Sequence, residues 1–252
     1  MFRVIYGIDD HEQIDLLTSG DSRAIETLSN VWSRNTRNHV RALVEQWQLD
    51  LDTRDSYSGI HSQLAAQHAL ALARCARLSS DEVGALWIAG RVYDLGKIAL
   101  PVDLLTKDGP LNSAEMLVLR SHVSVGHDLL HDWPVLRTSP HWLQDLVLET
   151  VLFHHERWDG GGYLGGKHGE QIPLPARIMA IADAYTAMIL NSPYRVAREP
   201  AQALREIGEK AGTQFDPDLA QQFVHALRLG ARHTGVVLGT NHESGQETRR
   251  VA

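Results

Sequence analysis

His154 and His155 stand side by side at the head of the run His154-His155-Glu156-Arg157-Trp158-Asp159-Gly160-Gly161-Gly162-Tyr163. Imidazole is the commonest protein metal ligand, and an adjacent pair entering a glycine-rich loop is hard to explain by packing alone. His61, Asp94, His122 and Asp183 recur along the chain at intervals of about thirty residues, one helix plus its connection. If each sits on its own helix, all can face one cavity, as carboxylate and histidine metal centres do in helical folds. A lone histidine on a helix is usually a core or surface residue, so the metal reading rests on the set. His68 and the histidines at 11, 39, 127, 131, 141, 168, 225, 233 and 242 are given no role.

The elements that must position these residues read as helices. Residues 21–47 carry Ile25, Leu28, Val31, Trp32, Val40, Leu43, Val44 and Trp47 at mostly helical spacing, as one long or two short helices. Phe2 to Ile8 reads as a short strand. A helix runs from His61 through Leu64, Leu72 and Leu78. The Ser79-Ser80-Asp81 break caps the next, Glu82 to about Asp94, which Gly96 stops. A third starts at Asn112-Ser113-Ala114-Glu115, with Ser113 as cap and His122 inside it. After Pro134 and Pro140 an amphipathic run reaches His154. Pro175 opens a helix that carries Asp183, and a pair around 201–210 and 217–229 closes the domain.

A chain of 252 residues with 43% hydrophobic and 22% charged content holds one large domain or a domain with a small extension. The division expected is an N-terminal helical extension over 1–50, the main domain over 51–230 and a loose tail over 231–252. The net charge of -7 argues against a DNA or RNA surface. No apolar run is long enough for a membrane span and no secretory signal is visible, so the cytoplasm is the expected location. The single cysteine, Cys75, fits a reducing compartment and reads as a small core residue. The apolar face of Val31, Leu43 and Trp47 suits packing on the main domain, a homodimer seam or a signalling partner; the sequence leaves these open.

Between about Leu51 and Leu229 the chain resembles the HD-GYP domains, a branch of the HD superfamily of metal-dependent phosphohydrolases. The resemblance rests on Arg54-Asp55-Ser56-Tyr57-Ser58-Gly59-Ile60-His61, on Asp94-Leu95-Gly96-Lys97-Ile98, on Leu105-Thr106-Lys107, on the His122 helix and on the double-histidine run. It continues through Ile172-Pro173-Leu174-Pro175-Ala176-Arg177-Ile178 with Asp183, then Ser192-Pro193-Tyr194-Arg195 and Phe215-Asp216-Pro217. The resemblance implies an all-α helical bundle of the HD type around a metal site, with cyclic di-GMP as the usual substrate.

On that reading Asp94 bridges two divalent ions, Fe or Mn, with His61 and Asp183 completing one and His122, His154 and His155 the other. Two such ions about 3.5 to 4 Å apart acidify a bridging water and stabilise charge during in-line attack on a phosphodiester. Lys97 is placed to neutralise a phosphate oxygen, and Arg195 to hold a phosphate or a guanine edge. By similarity to the family, Tyr163 and its glycines line the cleft.

Four positions depart from the family pattern. Its His-Asp dyad reads Tyr93-Asp94, its Gly-Tyr-Pro signature reads Gly162-Tyr163-Leu164, Thr186 replaces a second aspartate, and Tyr57 stands where three-metal members carry glutamate. A neutral phenol is a poorer ligand than imidazole, so weaker affinity at one ion position is expected. Two functional classes follow: a phosphodiesterase acting on cyclic di-GMP or a related cyclic dinucleotide, or a degenerate member that binds nucleotide or partner without turnover. The metal positions retained together with Lys97 favour the enzyme, and the loss at Tyr93 favours the binder.

Overall fold

The computed structural model describes residues 23–55, 57–164, 166–191 and 196–233, with side chains through 228. Eleven α-helices and three 3-10 segments make up the described regular structure, with no strand among those residues beyond one isolated bridge between Ala211 and Phe215. A 3-10 turn, Ala24–Asn30, leads into α1 (Arg34–Asp55), α2 (Ser58–Cys75) and α3 (Ser80–Val92). The 3-10 segment Leu95–Ala99 and the short α4 (Val102–Leu105) and α5 (Ser113–Arg120) follow. Next come α6 (His122–His131), α7 (Pro134–Arg137), α8 (His141–Phe153), the 3-10 turn Gly169–Gln171, α9 (Leu174–Ile189), α10 (Pro200–Glu209) and α11 (Pro217–His233).

The hub is α3, where every residue from Val83 to Val92 is buried. A helix apolar all round must be enclosed by others, and α2 and α8 pack along it, with α9 closing over α2. Small residues allow the closest approach: a Cβ on Gly90 would lie 3.0 Å from the Cα of Ala66 on α2. Ser79 caps α3 in a reciprocal box with Glu82.

The N-terminal segment joins the same core. Ile25, Leu28, Val40 and Val44 are fully buried, and Val31, Leu43 and Trp47 pack against them. The Trp47 ring meets Trp133 edge-on at 5.1 Å, so the apolar face left open by the sequence packs on the main domain. Helix α1 runs unbroken through residue 50, where the extension was expected to end, and α11 runs past residue 231. The strand expected at Phe2 to Ile8 and residues 234–252 of the expected tail lie outside the described residues.

Several local expectations change. Cys75 is exposed at the end of α2, because that last turn directs Leu72 and Ala73 inward and leaves Cys75 facing out. Asn112, not Ser113, caps α5, its side chain accepting from Glu115 N at 2.9 Å. Gly96 does not stop a helix but continues as part of the 3-10 turn. His122 opens α6 rather than lying inside the third helix, since the chain kinks at Ser121. There Ser121 Oγ donates to the Val118 carbonyl and His122 Nδ1 to the Leu119 carbonyl. Among the described residues no helix is long and apolar enough to cross a membrane.

Candidate metal centre

Five segments deliver the chemistry. His61 lies in the first turn of α2, Asp94 in the turn after α3, His122 at the start of α6, His154 and His155 just past α8, and Asp183 in the middle of α9. Gly96 sets the closest approach: a Cβ there would lie 1.9 Å from the His122 carbonyl oxygen and 2.6 Å from Gly126 N. Only a bare backbone lets the Asp94 turn nest against α6 and bring Asp94 to His122.

Ligand atoms of His122, His154 and His155 gather within 4.8 Å of one another, as do those of His61, Asp94 and Asp183. In the first group, His122 donates Nδ1–H to the Leu119 carbonyl at 2.7 Å and His154 donates Nδ1–H to the Val151 carbonyl at 2.9 Å. Each bond turns the other ring nitrogen inward, the arrangement metal-ligating histidines use. His122 Nε2, His154 Nε2 and Asp94 Oδ1 are all buried without a hydrogen-bond partner. His122 Nε2 is 3.2 Å from Asp94 Oδ1 but out of hydrogen-bond alignment. Leaving such atoms unpaired costs about 1–3 kcal/mol each, so their convergence fits a cation. Burial, and then the His122 charge, lower the His154 pKa to about 4, so this imidazole is neutral and its Nε2 carries a lone pair. Burial and the neighbouring His154 push His155 well down in the same way.

The second group is hydrogen-bonded internally. His61 Nε2 donates to Asp183 Oδ1 at 2.8 Å, and the Tyr93 hydroxyl donates to the same oxygen at 2.8 Å. Tyr57 OH meets His61 Nδ1 at 3.0 Å. Burial, with the charges of Asp183 and Asp94, drives the Tyr93 phenol well above its ordinary pKa, so Tyr93 is a donor and not an anionic ligand. A cation that took His61 Nε2 as a ligand would first have to displace its hydrogen bond to Asp183 Oδ1.

Lys97 lies on Asp94 Oδ2 at 2.8 Å. Burial opposes ionisation of Asp94, but the Lys97 ammonium and His122 outweigh it and hold the carboxyl well below the usual range. Thr186 is buried, donates to the Ala182 carbonyl and meets His68 Nδ1 at 2.8 Å, so the position of a second aspartate serves core packing here.

The double-histidine loop stacks outward. His154 and His155 ring centroids are 4.1 Å apart, and Tyr163 lies 5.0 Å from His155. Glu156 ties the loop back on itself, its Oε1 accepting from Leu164 N at 3.0 Å while a Cβ on Gly162 would strike its Oε2 at 2.2 Å.

All six expected ligands therefore meet, in two groups that share Asp94 as neighbour, and Tyr163 borders the first. Arg195 lies outside the described residues. The sequence reading passed over Glu156, the hydrogen-bonding roles of Tyr57 and Tyr93, and Arg120, whose guanidinium sits over the Tyr163 ring at 4.8 Å. Only adjacency to recognised motifs, Arg120 two residues before His122, pointed to them.

This all-helical architecture with a clustered histidine and aspartate centre defines a metal-site domain. The profile of the HD domain family matches residues 28–219, and the chain belongs to that family, within its HD-GYP branch. A cyclic di-GMP phosphodiesterase of Pseudomonas aeruginosa is 34% identical over 215 residues, 82% of this chain and 50% of that protein. A cyclic di-GMP phosphodiesterase response regulator of Xanthomonas campestris is 39% identical over 140 residues, 56% of this chain and 35% of that one. The chain thus spans half or less of these relatives' lengths. A solved Vibrio cholerae cyclic GMP-AMP specific phosphodiesterase shares the fold with a TM-score of 0.56 at 18% identity, over 77% of this chain and 50% of the other.

Proposed function

We propose that this chain hydrolyses a phosphodiester bond of a cyclic dinucleotide, cyclic di-GMP first, using two divalent ions, Fe or Mn. The observation that carries the reading is the buried, unpartnered Nε2 atoms of His122 and His154 within one three-histidine cluster, with Asp94 Oδ1, also unpartnered, 3.2 Å from His122 Nε2. The relatives' named activities on cyclic dinucleotides support the substrate class. When bound, such ions supply positive charge to the phosphodiester and acidify water for in-line attack. His122, His154, His155 and Asp94 would hold one. His61, Asp183 and Asp94 would hold the other, less tightly because Tyr93 and His61 occupy Asp183 Oδ1. Lys97 keeps Asp94 ionised and oriented, a role that acts through the carboxylate. Tyr163 walls the approach to His155, and Glu156 holds that wall in place.

The test is anaerobic loading with Fe(II) or Mn(II), incubation with cyclic di-GMP and with 3'3'-cyclic GMP-AMP, and separation of the products. Slow metal-dependent loss of cyclic di-GMP is expected. The Tyr93 bond to Asp183 favours a second reading, in which the protein binds cyclic dinucleotide and signals without turnover. Binding of nucleotide by both wild type and Tyr93→His, with turnover by neither, would establish that second reading.

A further inference from the structure

Arg120 ends α5 two residues before His122 and is exposed. Its guanidinium carbon lies 4.8 Å from the centroid of the Tyr163 ring, which is itself 5.0 Å from the His155 ring. The result is a ladder of planar groups that runs from the three-histidine cluster to the solvent edge. Several cations of this region are already ion-paired, Lys97 on Asp94, Lys107 on Glu115, Arg157 on Asp159 and Arg177 on Asp216, while Lys167 lies over the Phe153 ring rather than over Tyr163. Arg120 has no ion pair among the described residues. A guanidinium seated over an aromatic face still has N–H groups to donate, and its planar fork matches two oxygens of a phosphate. The stack also limits the rotamer freedom the side chain would lose on binding.

We infer that Arg120 is a substrate-binding residue that grips a phosphate of the cyclic dinucleotide at the mouth of the metal cleft, with Tyr163 as its platform. The inference rests on the function proposed above. A phosphorothioate analogue of cyclic di-GMP, which resists turnover, is titrated into the full-length, metal-loaded wild type, Arg120→Met and Arg120→Lys. Metal content and Tm are measured on each protein. The expected result is a Kd at least tenfold higher for Arg120→Met and partial recovery in Arg120→Lys, with metal content and Tm within error of wild type. Packing on Tyr163 alone would not give that recovery, because lysine restores charge without the planar guanidinium. Equal Kd values for wild type and Arg120→Met overturn the inference while leaving the proposed function standing. A wild type that binds no analogue overturns the proposed function, and this inference with it.

Discussion

His154 leaves a bare, buried Nε2 beside His122 and His155, whereas His61 spends its Nε2–H on Asp183. The two halves of the centre are built from the same residue types and differ in what holds the second ring nitrogen. In the three-histidine half, backbone carbonyls one helical turn earlier take the Nδ1 protons of His122 and His154, so their Nε2 atoms are left open. In the His61 half the phenols of Tyr57 and Tyr93 enter the network, and Asp183 Oδ1 already has two donors. A carboxylate oxygen that already accepts two hydrogen bonds has less to gain from a cation than one left unpaired. The halves should therefore differ in ion affinity, and the following perturbations probe that difference.

Loss of the open half carries the largest effect. His154→Ala removes the buried lone pair and should lower kcat on the order of a thousandfold while releasing the tightly held ion; rate and metal content are measured on the same sample. Separating the halves comes next. Gly96→Ala puts a Cβ into the His122 backbone, and Tm should fall by an amount worth about 2–3 kcal/mol. An unchanged Tm would mean the Asp94 turn is not tightly seated on α6.

Tyr93→His addresses the closed half alone. It withdraws the phenol proton from Asp183 and offers a ring nitrogen, so affinity for a second ion should rise on the order of tenfold to a hundredfold by calorimetric titration, and turnover with it. Tyr93→Phe, which removes the donor without adding a ligand, should give a smaller rise. Equal second-ion affinity in all three proteins would remove the distinction between the halves.

The smallest effect is on pH dependence. His68, behind the closed half, is buried, and desolvation followed by the His61 charge lowers its pKa to about 4. Above the ordinary value of 6.5 both folded and unfolded chains hold it neutral. Below 6.5 the unfolded chain takes the proton first, so stability falls with pH until about 4, where the folded protein is protonated as well. His154 behaves the same way in the metal-free protein. Metal-free Tm should therefore drop from pH 7 to pH 5, less steeply in His68→Leu.

Helical periodicity and breaker residues made the bundle legible, because an apolar run such as Val83 to Val92 admits few other burials. The clustering of the six side chains was legible because histidine and carboxylate recurred at about one helix plus connection. Tautomers were not, since they depend on carbonyls and phenols that only the fold brings near: nothing local to His61 marks Tyr93 and Asp183 as its neighbours. Lys97 reads as a free cation in sequence because its claim on Asp94 depends on the 3-10 turn between them. The kink at Ser121 contains neither glycine nor proline. It comes from side-chain bonds to the preceding carbonyls and from the tight seat of Gly96 against His122.

The most direct measurement is elemental analysis of wild type and His154→Ala after anaerobic Fe(II) or Mn(II) loading and removal of free ion. Retention of at least one ion per chain by the wild type, and its loss in His154→Ala, is the predicted result. A wild type that retains well under one ion, or a variant that retains as much, would contradict the assignment of these buried imidazoles to a metal centre.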